Sequence, residues 1–164
     1  MTLYDATEQA YVNGYQSGYS AGRRSLGRIT CDVMVEGDIP TRAHENDAGL
    51  DLYAREGGWI LPKCRKTFGT GVHIAIPKGA VGFLTSKSGL MSEGITSRGT
   101  IDCDYTGEVR AILYNQSWLP KRIRKGQKIT QLVIVPIIIP GLRVVSKMED
   151  TERGDGGFGS TGKF

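Results

Sequence analysis

A chain of 164 residues with 39% apolar residues and 23 glycines is long enough for one sizeable core, and suits a turn-rich β protein better than a helical bundle. A net charge of +4 is compatible with an anionic ligand and falls short of what marks a dedicated nucleic-acid-binding domain. Cys31, Cys64 and Cys103 cannot all pair, and neither His44 nor His73 has a partner at ligand spacing, which excludes a disulfide framework and a structural zinc and points to a reducing compartment.

The N-terminal piece, residues 1–27, has its own character: Tyr11-Val-Asn-Gly, Tyr15-Gln-Ser-Gly and Tyr19-Ser-Ala-Gly are tandem Tyr-x-x-Gly units. On a helix this spacing makes a tyrosine stripe beside a glycine stripe, with Asp5 and Glu8 as a capping box. Each glycine weakens such a helix by about 1 kcal/mol relative to alanine. A short helix packed on an unknown protein partner and a disordered extension are both open readings.

From Ile29 onward period-two patterning dominates. Ile29, Cys31, Val33 and Val35 share one predicted strand face, Val72, Ile74 and Ile76 a second, and Val109, Ala111 and Leu113 a third. The basic run Lys121-Arg-Ile-Arg-Lys125 reads as a solvated hairpin loop, so no direct nucleic-acid contact is expected. Ile129, Gln131, Val133 and Val135 form the next predicted face, with Gln131 the polar exception, and Leu142 to Val145 a short final strand. The apolar run Leu132–Ile139 is too short for a membrane span and no apolar segment opens the chain, so a soluble, cytoplasmic protein without membrane contact is expected. The pattern predicts an all-β barrel or jelly-roll over residues 28–150, followed by a flexible glycine-rich tail over 151–164.

The tail Arg153-Gly-Asp-Gly-Gly-Phe-Gly-Ser-Thr-Gly-Lys-Phe164 cannot build a packed element, because glycine loses the most entropy on ordering and buries nothing. A frayed terminus is one reading. The other is a segment that closes over a polyphosphate, with glycine N–H groups and hydroxyls on the anion, an arginine fork, and Phe158 over a base. Asp102 in Ile101-Asp-Cys-Asp104 suits either an Asx-type turn or a rigidly held catalytic carboxylate. Tyr105 reads equally as an ordinary core tyrosine or a ring presented to a ligand.

Five segments, in order, carry a family resemblance: Asp47-Ala-Gly-Leu-Asp-Leu-Tyr-Ala54, Thr85-Ser-Lys-Ser-Gly-Leu90, Gly99-Thr-Ile-Asp-Cys-Asp-Tyr-Thr-Gly107, Gly126-Gln-Lys-Ile-Thr-Gln-Leu-Val-Ile-Val-Pro136 and the tail. Together they resemble the motifs of the trimeric dUTPases (deoxyuridine triphosphate nucleotidohydrolases), across roughly Ile29 to Phe164. The resemblance implies a distorted jelly-roll (β-clip) homotrimer, with active sites shared between its chains, that hydrolyses dUTP to dUMP and pyrophosphate with Mg²⁺. It implies that Asp102 contacts the sugar 3′-hydroxyl and orients the water attacking the α-phosphorus, with Gln131 helping to hold that water or the α-phosphate. Tyr105 would pack under the deoxyribose and exclude a 2′-hydroxyl. A hairpin at Gly94 to Ile101 would read uracil through its main chain, with Thr96 at its tip. Gly99, Thr100, Ile101 and Arg110 would be further substrate contacts. Lys87 (where the family pattern has arginine), Ser88 and Gly89 would bind phosphate. Arg153 would clamp the γ-phosphate, Phe158 stack on uracil, and Gly159, Ser160 and Thr161 close over the phosphates. Asp51 would touch the water shell of a Mg²⁺ held mainly by the phosphates. A fold-related dCTP deaminase and a nucleotide-switched regulatory binding protein are the alternative readings.

Overall fold

Residues 30–156 are described by a computed structural model. The extension over residues 1–27, and Phe158, Gly159, Ser160 and Thr161 of the tail, lie outside the described residues. The strands are β1 (Val33–Val35), β2 (Gly49–Tyr53), β3 (Gly58–Ile60), β4 (Arg65–Gly69), β5 (Val72–Ile74) and β6 (Ala80–Thr85). A five-residue helix α1 (Ser88–Ser92) precedes β7 (Ile95–Ile101), β8 (Arg110–Asn115), β9 (Lys121–Ile123) and β10 (Lys128–Pro136). Six strands form one curled antiparallel sheet in the order β2-β10-β6-β7-β8-β4, flanked by the ribbons β1-β5 and β3-β9. This is the expected all-β, distorted jelly-roll architecture. No helix among the described residues is long and apolar enough to cross a membrane, and the three cysteines are free.

Two apolar clusters fill the interior. One gathers Ile60, Phe68, Ile95, Leu113, Ile123 and Ile129; the other gathers Leu52, Val72, Ile74, Leu84, Val109 and Leu132. Buried Asn115 ties the sheet to the β3-β9 ribbon: its Nδ2 donates to the carbonyls of Ile60, Leu61 and Leu119, and its Oδ1 accepts from the Ser117 amide.

Three expectations are corrected. First, Ile129, Gln131, Val133 and Val135 do not share one core face. The pairing of β10 with β2 shifts register between Lys128 and Thr130, and one extra residue in a strand reverses every side chain beyond it. Ile129 is therefore buried in the first cluster, whereas Leu132, with Ile134 against it, packs on the second. Gln131 lies across from Asp51 on one neighbour and Thr85 on the other. Second, Leu142 to Val145 is no strand: β10 ends at Pro136, and Ile138, Leu142 and Val144 are 91%, 95% and 98% exposed. Third, Gly94 to Ile101 is not a hairpin in itself. It is essentially one strand, β7, and the hairpin it belongs to turns at residues 102–109 and returns along β8.

Candidate active site

The sequence-predicted residues fall into two groups at opposite ends of the β6–β7 ladder. The first group sits where β6 ends. The rows Asp51–Gln131–Thr85 run across β2, β10 and β6, so Asp51 and Gln131 lie side by side just before the Ser86-Lys87-Ser88-Gly89 segment. Asp51 is 3% exposed. Its Oδ1 accepts from Lys87 Nζ at 2.5 Å, and its Oδ2 pairs with Lys128 Nζ at 2.9 Å. Burial pushes the Asp51 carboxyl up, but the hydrogen bonds and charges of the two lysines outweigh it and hold the pKa below the ordinary value. In return, the hydrogen bond to Asp51 raises Lys128.

Two ammonium groups on one carboxylate leave a net positive site, half open to water, beside the hydroxyl and amide of Ser88. Such a site attracts phosphate oxygens. Gln131 Nε2 points at the Ser86 carbonyl, 3.4 Å away. Its Oε1 lies so close to Gly49 that a Cβ there would stand 2.5 Å from it. Glycine at position 49 therefore gives the Gln131 amide its room.

Among the described residues no group of three or more His, Cys, Asp and Glu side chains is arranged to hold a metal ion. Asp51, with both oxygens engaged by lysines, fits a contact through water and not direct ligation. That donor set suits a magnesium ion carried in on phosphates.

The second group sits where β7 and β8 part. The two strands pair only at Ile95–Asn115, Thr96–Tyr114 and Ser97–Leu113. Beyond that β7 continues along β6, to Gly82–Ile101, and β8 continues along β4, to Gly69–Arg110. The splayed arms leave main-chain N–H and C=O groups of residues 98–101 and 110–112 facing a groove without a strand partner. Thr100, Ile101, Asp102, Tyr105, Glu108 and Arg110 line that groove, a cavity of about 210 Å³.

Asp102 is exposed, just beyond the end of β7, and its carbonyl accepts from the Tyr105 amide at 3.1 Å. The Tyr105 hydroxyl donates to the Glu108 carbonyl at 2.9 Å. Its ring lies across Gly107, where a Cβ would come within 2.6 Å of it. The ring is thus held over the turn and is 45% exposed, so it is not a core tyrosine. Glu108 accepts from the Gly71 amide at 2.9 Å and stands 3.9 Å from Arg110.

Asp102 follows Ile101, the partner of Gly82, whereas Gln131 shares a row with Thr85, the partner of Arg98. Four residues of strand separate Asp102 from that row, about 13 Å, and the Lys87 ammonium sits in that row on Asp51. Within one chain no water can touch both Asp102 and Gln131. Thr96 does not reach the Asp102 groove either. It accepts from Gln116 at 3.2 Å and lines a different cavity with Lys63, Arg98 and Tyr114. Gly99 is strand backbone against Leu84. Arg153 is exposed, with its Nε on the Gly156 carbonyl at 2.9 Å.

Sequence reasoning missed Lys128, Glu108 and Gly49. Lys128 has a signal only in hindsight, as the first residue of a strand facing the one buried carboxylate of β2. Nothing in the sequence marks the bulge that turns it there.

A family model described as dUTPase matches residues 35–162. The deoxyuridine 5′-triphosphate nucleotidohydrolase of Clostridium kluyveri is 45% identical over 134 residues, covering 79% of this chain and 94% of that one. Among solved structures, the Staphylococcus bacteriophage 80alpha dUTPase with dUPNHPP has a TM-score of 0.76 at 32% identity, covering 81% of this chain and 98% of that one. A variant dUTPase from phage phi11 of S. aureus, described as coordinating a structural Mg(II) ion, has a TM-score of 0.69 at 29% identity, covering 74% of this chain and 100% of that one.

Proposed function

The chain belongs to the dUTPase family, and on that footing we propose that its two groups of residues hydrolyse dUTP to dUMP and pyrophosphate at sites shared between the copies of a homotrimer. The observation that carries this reading is the separation of Asp102 from Gln131 and Lys87 at opposite ends of one ladder. A water poised on an α-phosphate must touch both groups, so they come from different copies. The strap from Ile137 to Met148, long, apolar and exposed along one chain, supports assembly, because such a surface is stable in water only when a second copy covers part of it.

In the proposed site, uracil enters the groove between the arms of β7 and β8, and the unpaired main-chain groups there read its edge. Tyr105 lies under the deoxyribose and leaves no space for a 2′-hydroxyl, while Arg110 and Thr100 rim the opening. Asp102 holds the 3′-hydroxyl and the attacking water. Gln131 of the neighbouring copy, with the amide held in place beside Gly49, steadies that water against the α-phosphate. As the bond to the leaving pyrophosphate breaks, charge builds on the bridging oxygen, where the Ser88 hydroxyl and the amides of Ser88 and Gly89 donate.

Lys87 would offer a phosphate oxygen its charge, and Asp51 would hold a magnesium ion through water. When bound, the ion would offset part of the triphosphate's charge. Lys87 supplies a point charge without the planar fork of arginine, so it attracts phosphate without fixing its orientation. From the tail, Arg153 engages the γ-phosphate, Phe158 stacks on uracil, and Gly159, Ser160 and Thr161 close over the phosphates. The free thiols of the described residues support a reducing, cytoplasmic setting for this chemistry.

A panel of nucleoside triphosphates with pyrophosphate detection tests the reading. dUTP with Mg²⁺ releases pyrophosphate, and dTTP, dCTP and UTP release hardly any. Comparable rates on dTTP would overturn the groove assignment, and ammonia from dCTP would move the protein to the deaminase branch.

A further inference from the structure

In the sequence, Lys121–Lys125 is a run of charge with no aromatic residue inside it; the fold puts tryptophan against it. In the β3-β9 ribbon Trp59 is the direct partner of Arg122. Ile60 and Ile123 point into the core at 1% and 0% exposure, so Trp59, at 57%, and Arg122 point outward. The Arg122 guanidinium stands 5.9 Å from the centre of the Trp59 ring. Beyond the other end of the ribbon, Lys63 Nζ stands 4.2 Å from the centre of the Trp118 ring, which is 80% exposed. Both indoles are largely exposed beside these cations. Trp118 lies in the bends that lead into β9, just before Lys121. Arg124 and Lys125 extend the cationic row. Of the acids nearby, Glu93 is engaged with Lys121 at 3.9 Å, and Glu56 lies in the turn before β3.

The surface is pre-formed. Asn115 holds the carbonyls of Ile60, Leu61 and Leu119 together. Lys63, the only non-glycine residue with positive φ among those described, donates from Nζ to the Gln116 carbonyl at 2.5 Å. Two exposed tryptophans, each beside a cation, flank exposed Leu61 and Leu119, with Arg124 and Lys125 following Arg122 beyond Trp59; a single nucleotide would reach one ring. We infer that the outer face of this ribbon binds a short stretch of single-stranded nucleic acid, its bases stacking on Trp59 and Trp118 and its phosphates meeting Arg122, Arg124, Lys125 and Lys63. The surface carries no base-edge donors in a fixed array, so recognition is of the strand and not of its sequence.

The test titrates the full chain into a labelled oligo-dT of about 12 nucleotides, followed by fluorescence anisotropy and tryptophan quenching, from about 50 to 200 mM salt. Saturable binding that weakens at least about tenfold across this salt range is expected. Trp59→Ala and Trp118→Ala should each weaken it by about ten- to a hundredfold, as the loss of one stacked base does. Arg122→Gln should reduce the slope of log K against log salt by about 0.7. None of these substitutions touches the hydrolytic site, so dUTP turnover stays unchanged and reports that each variant is folded. A non-hydrolysable dUTP analogue should not compete. Absence of saturable binding at low salt, binding that survives both tryptophan substitutions, or competition by the analogue would overturn the inference. So would a change of oligomeric mass on Trp118→Ala, which would make the ribbon a protein interface. Loss of dUTP hydrolysis in the wild type would refute the proposed function and leave this binding result standing.

Discussion

Asp102 carries the heaviest demand of any single side chain. Asp102→Asn keeps size and polarity and should bind nucleotide as the parent does, while kcat falls by about 10²–10⁴, because an amide is a poor base and cannot hold the water's proton. Turnover close to normal would transfer the role to Asp104. Asp51 makes a second, pH-dependent prediction. Its folded-state pKa lies below the ordinary carboxylate value because Lys87 and Lys128 outweigh its burial. Its contribution to stability is therefore fully present above the unfolded pKa of about 4 and is lost as pH falls through the lower folded value. Asp51→Asn should flatten the acid limb of a denaturant-midpoint profile below about pH 4, and an unchanged limb would contradict the pairing. At this scale the roles given to Asp102 and the tail Arg153 come from the family resemblance, since from the residues alone Asp102 beside Asp104 read as well as an Asx-type turn. It was silent on Lys128, one cation among many, whose role depends on a bulge.

At the scale of the element, the β10 bulge and the parting of β7 from β8 create the site. Period-two counting finds the strands around them, because alternating apolar residues are a property of the strand itself. It cannot find a one-residue register shift, which depends on what the neighbouring strands present, and so it put Ile129 on the face of Gln131, Val133 and Val135. The hairpin was misplaced for a related reason. Nothing local in Gly94 to Ile101 says that half of the strand pairs with β8 and half with β6. The bulge account predicts a remote effect. Gly49→Ala puts a methyl where the Gln131 amide now sits, so kcat should drop at least about tenfold with little change in dUTP affinity or melting temperature. A variant with parental kcat would show that the Gln131 position is not held by this contact.

On the proposed reading, the molecule is incomplete as one chain. Its apolar strap lies open, and its two groups of residues lie at opposite ends of one ladder. The five motifs in the sequence identified the reaction, since each is a short segment whose residue types can be read directly. The proposal that the site is divided between copies comes from the family resemblance and not from the motifs' own residues, because spacing along a chain carries no distance in space. Truncation after Glu152 removes Arg153 and Phe158 but no strand, so the melting temperature without nucleotide should hardly move while kcat/KM falls by orders of magnitude. A truncated protein of full activity would make the tail a frayed end.

The most direct test of the shared site mixes two inactive parents. Chains carrying Asp102→Asn and chains carrying Gln131→Ala are co-expressed in equal amounts, so that trimers assemble from both. If each site takes Gln131 from one copy and Asp102 from its neighbour, about one quarter of the sites in a random mixture receive both intact residues, and about a quarter of wild-type dUTP turnover should return. Turnover that stays at the level of the two parents would mean that each site lies within a single chain, and would contradict the account.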